Sequence, residues 1–373
     1  MIKKLITELY KESSSIQIDY SVDEYKVLEE DLSYFKLGPY VYSVLKQKRY
    51  LDNIPTRFKD SLTIQYQNQL IQNLLIKNQT ELVLSTLEEK NIFVIPLKGP
   101  LFSDKYFDDF AARASSDIDI LVREEQVDET IACIKSLGFK TEEITEEGHF
   151  HKTFSKPLPG SSIPLLIEIH WNLLKENTSN LSMDEIWNHA IPITTNYQFV
   201  KELSTFYTFY FIILHAWRHN LDSMKHFLDI IQMIHKHAND LDYELLFKTA
   251  RKHRTLKRVK RTLSIVYQQF PHINHILELP FSKRYASKWQ YEVIHGGKVD
   301  KRKMYLDFID YQFNSYDSIY HRNIALFEWL LPSKFGLEAE LQHDRLNYLQ
   351  LYKQRGHGLL SSILSKEKQK RKG

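Results

Sequence analysis

Asp117 and Asp119 are separated by one residue in SDIDILV (116–122), a segment that alternates polar and apolar residues. That is the period of a strand with one buried face, so both carboxylates point to the same side, about 6–7 Å apart. Like charges at that spacing repel unless a cation lies between them, and hard divalent ions such as Mg²⁺ seek oxygen ligands of this kind. Two acids on a solvated edge strand would look the same, so the neighbours decide. Leu97-Lys98-Gly99-Pro100 reads as a strand end running into a helix. Gly99 lets a phosphate approach the backbone, the helix N-terminus offers unpaired N–H groups and a positive dipole, and Lys98 adds a point charge. Arg113 places another cation four residues ahead of Asp117. In LLIEIHW (165–171), Glu168 and His170 share one face of an otherwise apolar strand. Buried there, an acid and an imidazole need partners, and a structural salt bridge competes with a catalytic role.

The pieces IPLKGPLFSDKYF (95–107), RASSDIDILV (113–122), LGFK (137–140) and IEIHWNLL (167–174), in this order, resemble the nucleotidyltransferases of the DNA polymerase β superfamily. The closest likeness is to the branch of uncharacterised nucleotidyltransferases. LHAWRHNLDSMKHFLDI (214–230) is similar to a helical stretch of the same branch, and the likeness covers roughly residues 60–260. The resemblance implies that Asp117 and Asp119 hold two Mg²⁺ ions, or Mn²⁺ in their place, with Glu168 as the third ligand. It implies a triphosphate cradled at Gly99, with Lys98 and Arg113 neutralising its charge and His170 positioning the acceptor or acting as base. The reaction would move a nucleoside monophosphate from an NTP such as ATP to an acceptor by two-metal chemistry. The acceptor would be a small molecule, a peptide or protein side chain, or an RNA end. Two positions depart from the superfamily pattern. Gly-Pro stands where Gly-Ser or Gly-Gly is usual, Ser103 lying further down the helix, and Glu168 stands where Asp is usual. These departures motivate an alternative, a nucleotide-binding or scaffolding protein that keeps the fold without turnover.

Around these residues the texture changes twice. Residues 1–90 read as helical. No Gly or Pro occurs from Arg57 to Ile95, where Tyr66, Leu70 and Leu74, with Ile71 and Leu75, suggest the apolar stripe of one long helix, or of two in tandem, starting after Pro55. Ile92–Leu97 reads as a strand, Pro100 to about Phe110 as a helix, and Ser116–Val122 as a strand. Residues 124–137 read as a helix stopped by Gly138. Phe139–Ile144 and His151–Ser155 are weaker strand candidates, and Leu165–Trp171 is a strong one. From residue 181 helical texture returns, over Leu203–His219, Ser223–His237, 243–270 and 302–330. The expected class is α+β: a small mixed β-sheet core with flanking helices in a mostly helical chain. The expected division is 1–90 helical, 91–180 core, 181–360 helical and 361–373 a basic, disordered tail.

Composition narrows the classes further. Gly and Pro number only 11 each among 373 residues, which favours long helices over sandwiches or propellers. Fifty Lys and Arg against 47 Asp and Glu give a net charge of +3, so a long nucleic acid is the least favoured acceptor. The single cysteine, Cys133, excludes a disulfide framework and reads as a buried thiol in a reduced compartment. No apolar stretch suggests a signal peptide or a membrane span, so a cytoplasmic location without a membrane partner is expected. His215 and His219 stand one helical turn apart and read as a packing pair rather than a zinc site, with no third ligand in view. Asp229 reads as reaching the site or pairing with a base, and the aromatic run Phe206–Phe211 as core. If the acids form one site, their strands must be neighbours with the acids on one face, and crowding should raise their pKa values.

Overall fold

The computed structural model describes residues 1–141, 150–158, 163–194, 196–281 and 288–332. The tail at 361–373 and the far end of the strand expected over Phe139–Ile144 lie outside these residues. Helices α1 (Ile2–Leu9), α2 (Val22–Tyr34) and α3 (Gly38–Gln47) lead into α4 (Thr56–Glu89). With no Gly or Pro to stop it, α4 runs unbroken for 34 residues. Its buried side differs from the expected stripe. Ile71, Leu74 and Leu75 are 59%, 52% and 44% exposed, whereas Leu62, Gln69, Asn73, Ile76, Val83 and Leu87 are buried. Two of these buried positions are polar for a reason. Asn73 Nδ2 donates to the carbonyls of Phe110 (2.7 Å) and Arg113 (3.2 Å). Gln69 Nε2 donates to Asn73 Oδ1 (2.8 Å) and to the Ser115 carbonyl (3.4 Å). These bonds fasten the loop that delivers Arg113 and Asp117, and they satisfy polar groups that burial would otherwise penalise.

The sheet follows. Its elements in chain order are β1 (Val94–Pro96), α5 (Pro100–Phe107), β2 (Asp117–Val122), α6 (Val127–Ser136), β3 (Lys140–Thr141), β4 (His151–Lys156) and β5 (Leu165–His170). The strand order is β1-β2-β5-β4-β3, with β2 and β5 parallel and the other pairs antiparallel. A single 3-10 turn at Glu124–Gln126 precedes α6, and Gly138 follows it with φ +88°. One sheet face is apolar. Ile118, Ile120 and Val122 of β2 and Leu165, Ile167 and Ile169 of β5 pack with Ile76, Val83 and Leu87 of α4 and Ile134 of α6. Cys133 is buried in the same cluster.

The rest is mainly helical: α7 (Met183–Asn188), a two-stranded ribbon of β6 (Ile191–Pro192) and β7 (Lys201–Glu202), then α8 (Thr205–Arg218), α9 (Met224–His237), α10 (Tyr243–Lys252), α11 (Leu256–Gln269), α12 (Glu292–His295), α13 (Lys301–Ile309) and α14 (Ile319–Leu330). Ser204 and Ser223 cap α8 and α9 through side-chain oxygens. Arg254, at φ +57°, divides the stretch 243–270 into α10 and α11. Residues of α1–α3, α5 and α8–α11 share one hydrophobic cluster with Ile95 and Leu121 on the second sheet face. Helices before and after the sheet unit thus pack into one core, and α8 and α9 stand opposite the acids. Among the described residues no helix is long and apolar enough to cross a membrane.

Candidate active site

The strand register assembles one wall of the site. β2 and β5 pair with Asp119 opposite Glu168 and Asp117 opposite Leu166. Because Ile118, Ile120, Ile167 and Ile169 face α4 and α6, Asp117, Asp119, Glu168 and His170 share the other face. His170 Nε2 lies 3.2 Å from Glu168 Oε2 and 3.5 Å from Asp119 Oδ1. Ligand atoms of Asp119, Glu168 and His170 all fall within 4.8 Å of one another, so this donor set fits a divalent cation. From the turn between β1 and α5, Lys98 Nζ reaches Asp119 Oδ2 at 3.0 Å. Gly99 takes φ +89° and ψ −158°, a conformation essentially confined to glycine. A Cβ there would stand 4.0 Å from the Asp117 carbonyl oxygen, so the first turn of α5 begins beside the start of β2. Lys98, Arg113, Asp117, Asp119, Glu168 and His170 all line one cleft of about 190 Å³.

The electrostatics correct the expectation of mutually raised acids. Only Asp117 rises, through burial and the neighbouring Asp119 charge. Burial also disfavours the Asp119 and Glu168 carboxylates, but it is outweighed. Lys98 and His170 hold Asp119 well below the usual carboxylate range, and the His170 hydrogen bond lowers Glu168. Burial alone would lower His170, yet its two carboxylate partners raise it. Cations at hydrogen-bonding distance therefore dominate over the repulsion between the acids. Arg113 is similarly occupied. Its Nε and Nη2 donate to Asp229 Oδ1 (2.7 Å) and Oδ2 (2.9 Å), and both side chains are buried. Ser103 does not face the cleft. Its Oγ accepts from the Arg113 amide (3.0 Å) and donates to the Asp109 carbonyl (2.8 Å), locking the loop.

The sequence profile of the uncharacterised nucleotidyltransferase family matches residues 33–271, well over half of the chain. The chain belongs to this family. It is accordingly a transferase of the nucleotidyl-transferring kind. No curated protein and no solved structure matches it.

In this nucleotidyltransferase the second wall of the cleft comes from α8 and α9. Phe211, His215 and Arg218 project from α8, His219 from its end, and Lys225 and His226 from α9. His215 Nε2 is 2.8 Å from Lys98 Nζ, so Lys98 bridges the two walls. Burial and the Lys98 charge push His215 well below its ordinary pKa, leaving a neutral ring that accepts from the ammonium. Burial, reinforced by Arg113, lowers the Lys225 amine to about 8. It has no ion-pair partner among the described residues. The aromatic run is mostly core, with Tyr207, Phe209 and Tyr210 buried, while Phe211 lines the cleft. Sequence reasoning singled out His215, His219 and Asp229 but missed Arg218, Lys225 and His226. The available signal was a set of titratable residues at one-turn spacings on the apolar helix α8 and the amphipathic helix α9.

Proposed function

We propose that this nucleotidyltransferase moves a nucleoside monophosphate from an NTP to an acceptor within the cleft between the sheet and α8–α9. The observation that carries this reading is the in-register pairing of Asp119 with Glu168, with Asp117 on the same face and the Gly99 turn beside it. Divalent ions of the Mg²⁺ class, held by Asp117, Asp119 and Glu168, would supply Lewis-acid stabilisation of the phosphates and of the leaving pyrophosphate. The chain's own residues do the rest. The first turn of α5 and Lys98 receive the triphosphate, and Lys225 is the uncommitted ammonium that meets its charge. Arg113, paired with Asp229, serves mainly to hold the loop before β2. The acceptor oxygen attacks the α-phosphorus, the bond from that phosphorus to the bridging oxygen breaks, and pyrophosphate departs. The acceptor's proton leaves to solvent water, and His170, held between Asp119 and Glu168, positions the acceptor. The acceptor is a small molecule, a peptide or protein side chain, or an RNA end, and the near-neutral net charge makes a long nucleic acid the least favoured.

A second reading rests on Lys98. Its ammonium sits on Asp119 Oδ2, which already balances that charge, as a scaffold without turnover would require. Incubation with α-³²P-labelled NTPs and Mg²⁺ or Mn²⁺, using candidate acceptors of each class, separates the two. The proposal expects label transfer that Asp117→Ala/Asp119→Ala abolishes. Equal labelling by that variant would overturn it. NTP binding that needs no divalent ion and survives the double substitution would favour the scaffold.

A further inference from the structure

A second group of ligand atoms stands on the helical wall, away from the sheet acids. After α8 ends at Arg218, Asn220 and Leu221 both take left-handed φ values, 49° and 53°. Asn adopts this region readily but Leu rarely does, so Leu221 must be held there by its surroundings. Leu221 is fully buried, Asn220 Oδ1 accepts from Arg261 Nη1 (2.8 Å), and Trp289 Nε1 donates to the Asn220 carbonyl (3.1 Å). The turn brings the end of α8 against the first turn of α9. His226 Nε2 lies 3.1 Å from Asp222 Oδ1, and His219 Nδ1 lies 3.9 Å from Asp222 Oδ2. The two imidazole rings stack with centroids 5.2 Å apart, and one ligand atom from each of the three residues falls within a 4.8 Å span. A tetrahedral ion with ligand bonds of about 2.0–2.1 Å needs ligand atoms about 3.3 Å apart. The 3.1 Å between His226 Nε2 and Asp222 Oδ1 is close to that value, and His219 lies within reach of the same carboxylate.

We propose that His219, Asp222 and His226 form a second divalent-metal site, of the Zn²⁺ class, with a coordination position open to the cleft. The chemistry distinguishes it from the sheet site. Two imidazoles and one carboxylate suit a borderline ion, whereas Asp117, Asp119 and Glu168 offer the oxygen set that Mg²⁺ prefers. His215 does not complete the set, because its Nε2 is engaged by Lys98. Asp222 is 63% exposed and gives access from solvent, while His219 and His226 line the cleft. The open position takes water or an anionic group of a bound substrate. The site does not depend on the nucleotidyl-transfer reading.

The test uses the full chain, stripped with chelator and titrated with Co²⁺ and with Zn²⁺ in excess Mg²⁺. The expected result is one ion per chain with the visible absorption of tetrahedral Co²⁺. Loss of an outer hydrogen-bond partner already costs a metal site about 10–100-fold in affinity, so His226→Ala and Asp222→Asn should each weaken binding at least about tenfold. Asp117→Ala/Asp119→Ala should leave it unchanged. Asp222 is exposed, so its variant separates ligand loss from misfolding, with the metal-free melting curve as control. Absence of the cobalt spectrum, Co²⁺ binding untouched by both helical variants, or its loss in the sheet variant alone would overturn the proposal.

Discussion

Arg113 shows how a residue's type and position in sequence can be right for one role while the fold gives it another. Its guanidinium looks free in the sequence, but Asp229, more than a hundred positions later, takes both of its inward-facing donors. Removing one partner of such a buried pair leaves an uncompensated charge, which costs about 3–5 kcal/mol. Asp229→Ala should therefore lower unfolding free energy by that amount in chemical denaturation, and Arg113→Met/Asp229→Leu should recover much of it. An Asp229→Ala protein as stable as wild type would refute the pairing. Lys225 has the opposite sign. Its folded pKa, about 8, lies below the unfolded value of roughly 10.4, so the unfolded chain binds more protons between those limits and stability rises with pH there. Lys225→Met should be more stable than wild type at pH 7, by on the order of 1–2 kcal/mol because the side chain is only half-buried. The gap should close by about pH 10. The same variant should bind NTP more weakly, which calorimetry would show. A gap that widens above pH 8 would contradict the assignment.

At the scale of elements, α4 offers a paired test. Leu62→Ala should cost about 2–5 kcal/mol, since Leu62 is fully buried, whereas Ile71→Ala on the exposed side should stay within about 0.5 kcal/mol. Comparable losses in thermal melts would mean that the helix buries a different side. The comparison also shows what the sequence could disclose. The sheet was legible because β2 and β5 alternate with a period of two, and because Gly99-Pro100 and Gly138 punctuate their neighbours. A helical stretch without breakers was legible over α4, though whether it formed one helix or two in tandem was not. Nor was its buried side, because Gln69 and Asn73 are buried for hydrogen bonds that exist only once the 110–115 loop is in place. The common face of Asp117 and Asp119 followed from their spacing, whereas Glu168 joins it only through the register of β2 against β5. The protonation of the acids was not legible, because it depends on Lys98 and His170 reaching them at 3.0–3.5 Å. The second wall was legible only as titratable residues on α8 and α9; that they face the sheet was not, because helix packing sets that side and no local pattern encodes its partner.

Across the described residues, helices before and after the sheet unit share a core, and the cleft forms where that core meets the sheet. Arg113–Asp229 and Lys98–His215 both bridge from the sheet unit to α8 and α9, so the site is complete only when the helical part is folded. The central claim is that this cleft binds a triphosphate through a divalent ion held by the β2 and β5 acids. It is tested most directly by calorimetric titration of the full chain with a non-hydrolysable NTP, with Mg²⁺ and with chelator, for wild type and Asp119→Asn. The expected result is binding that requires Mg²⁺ and weakens at least about tenfold in the variant. Equal affinity in chelator, or equal affinity of the variant, would contradict it.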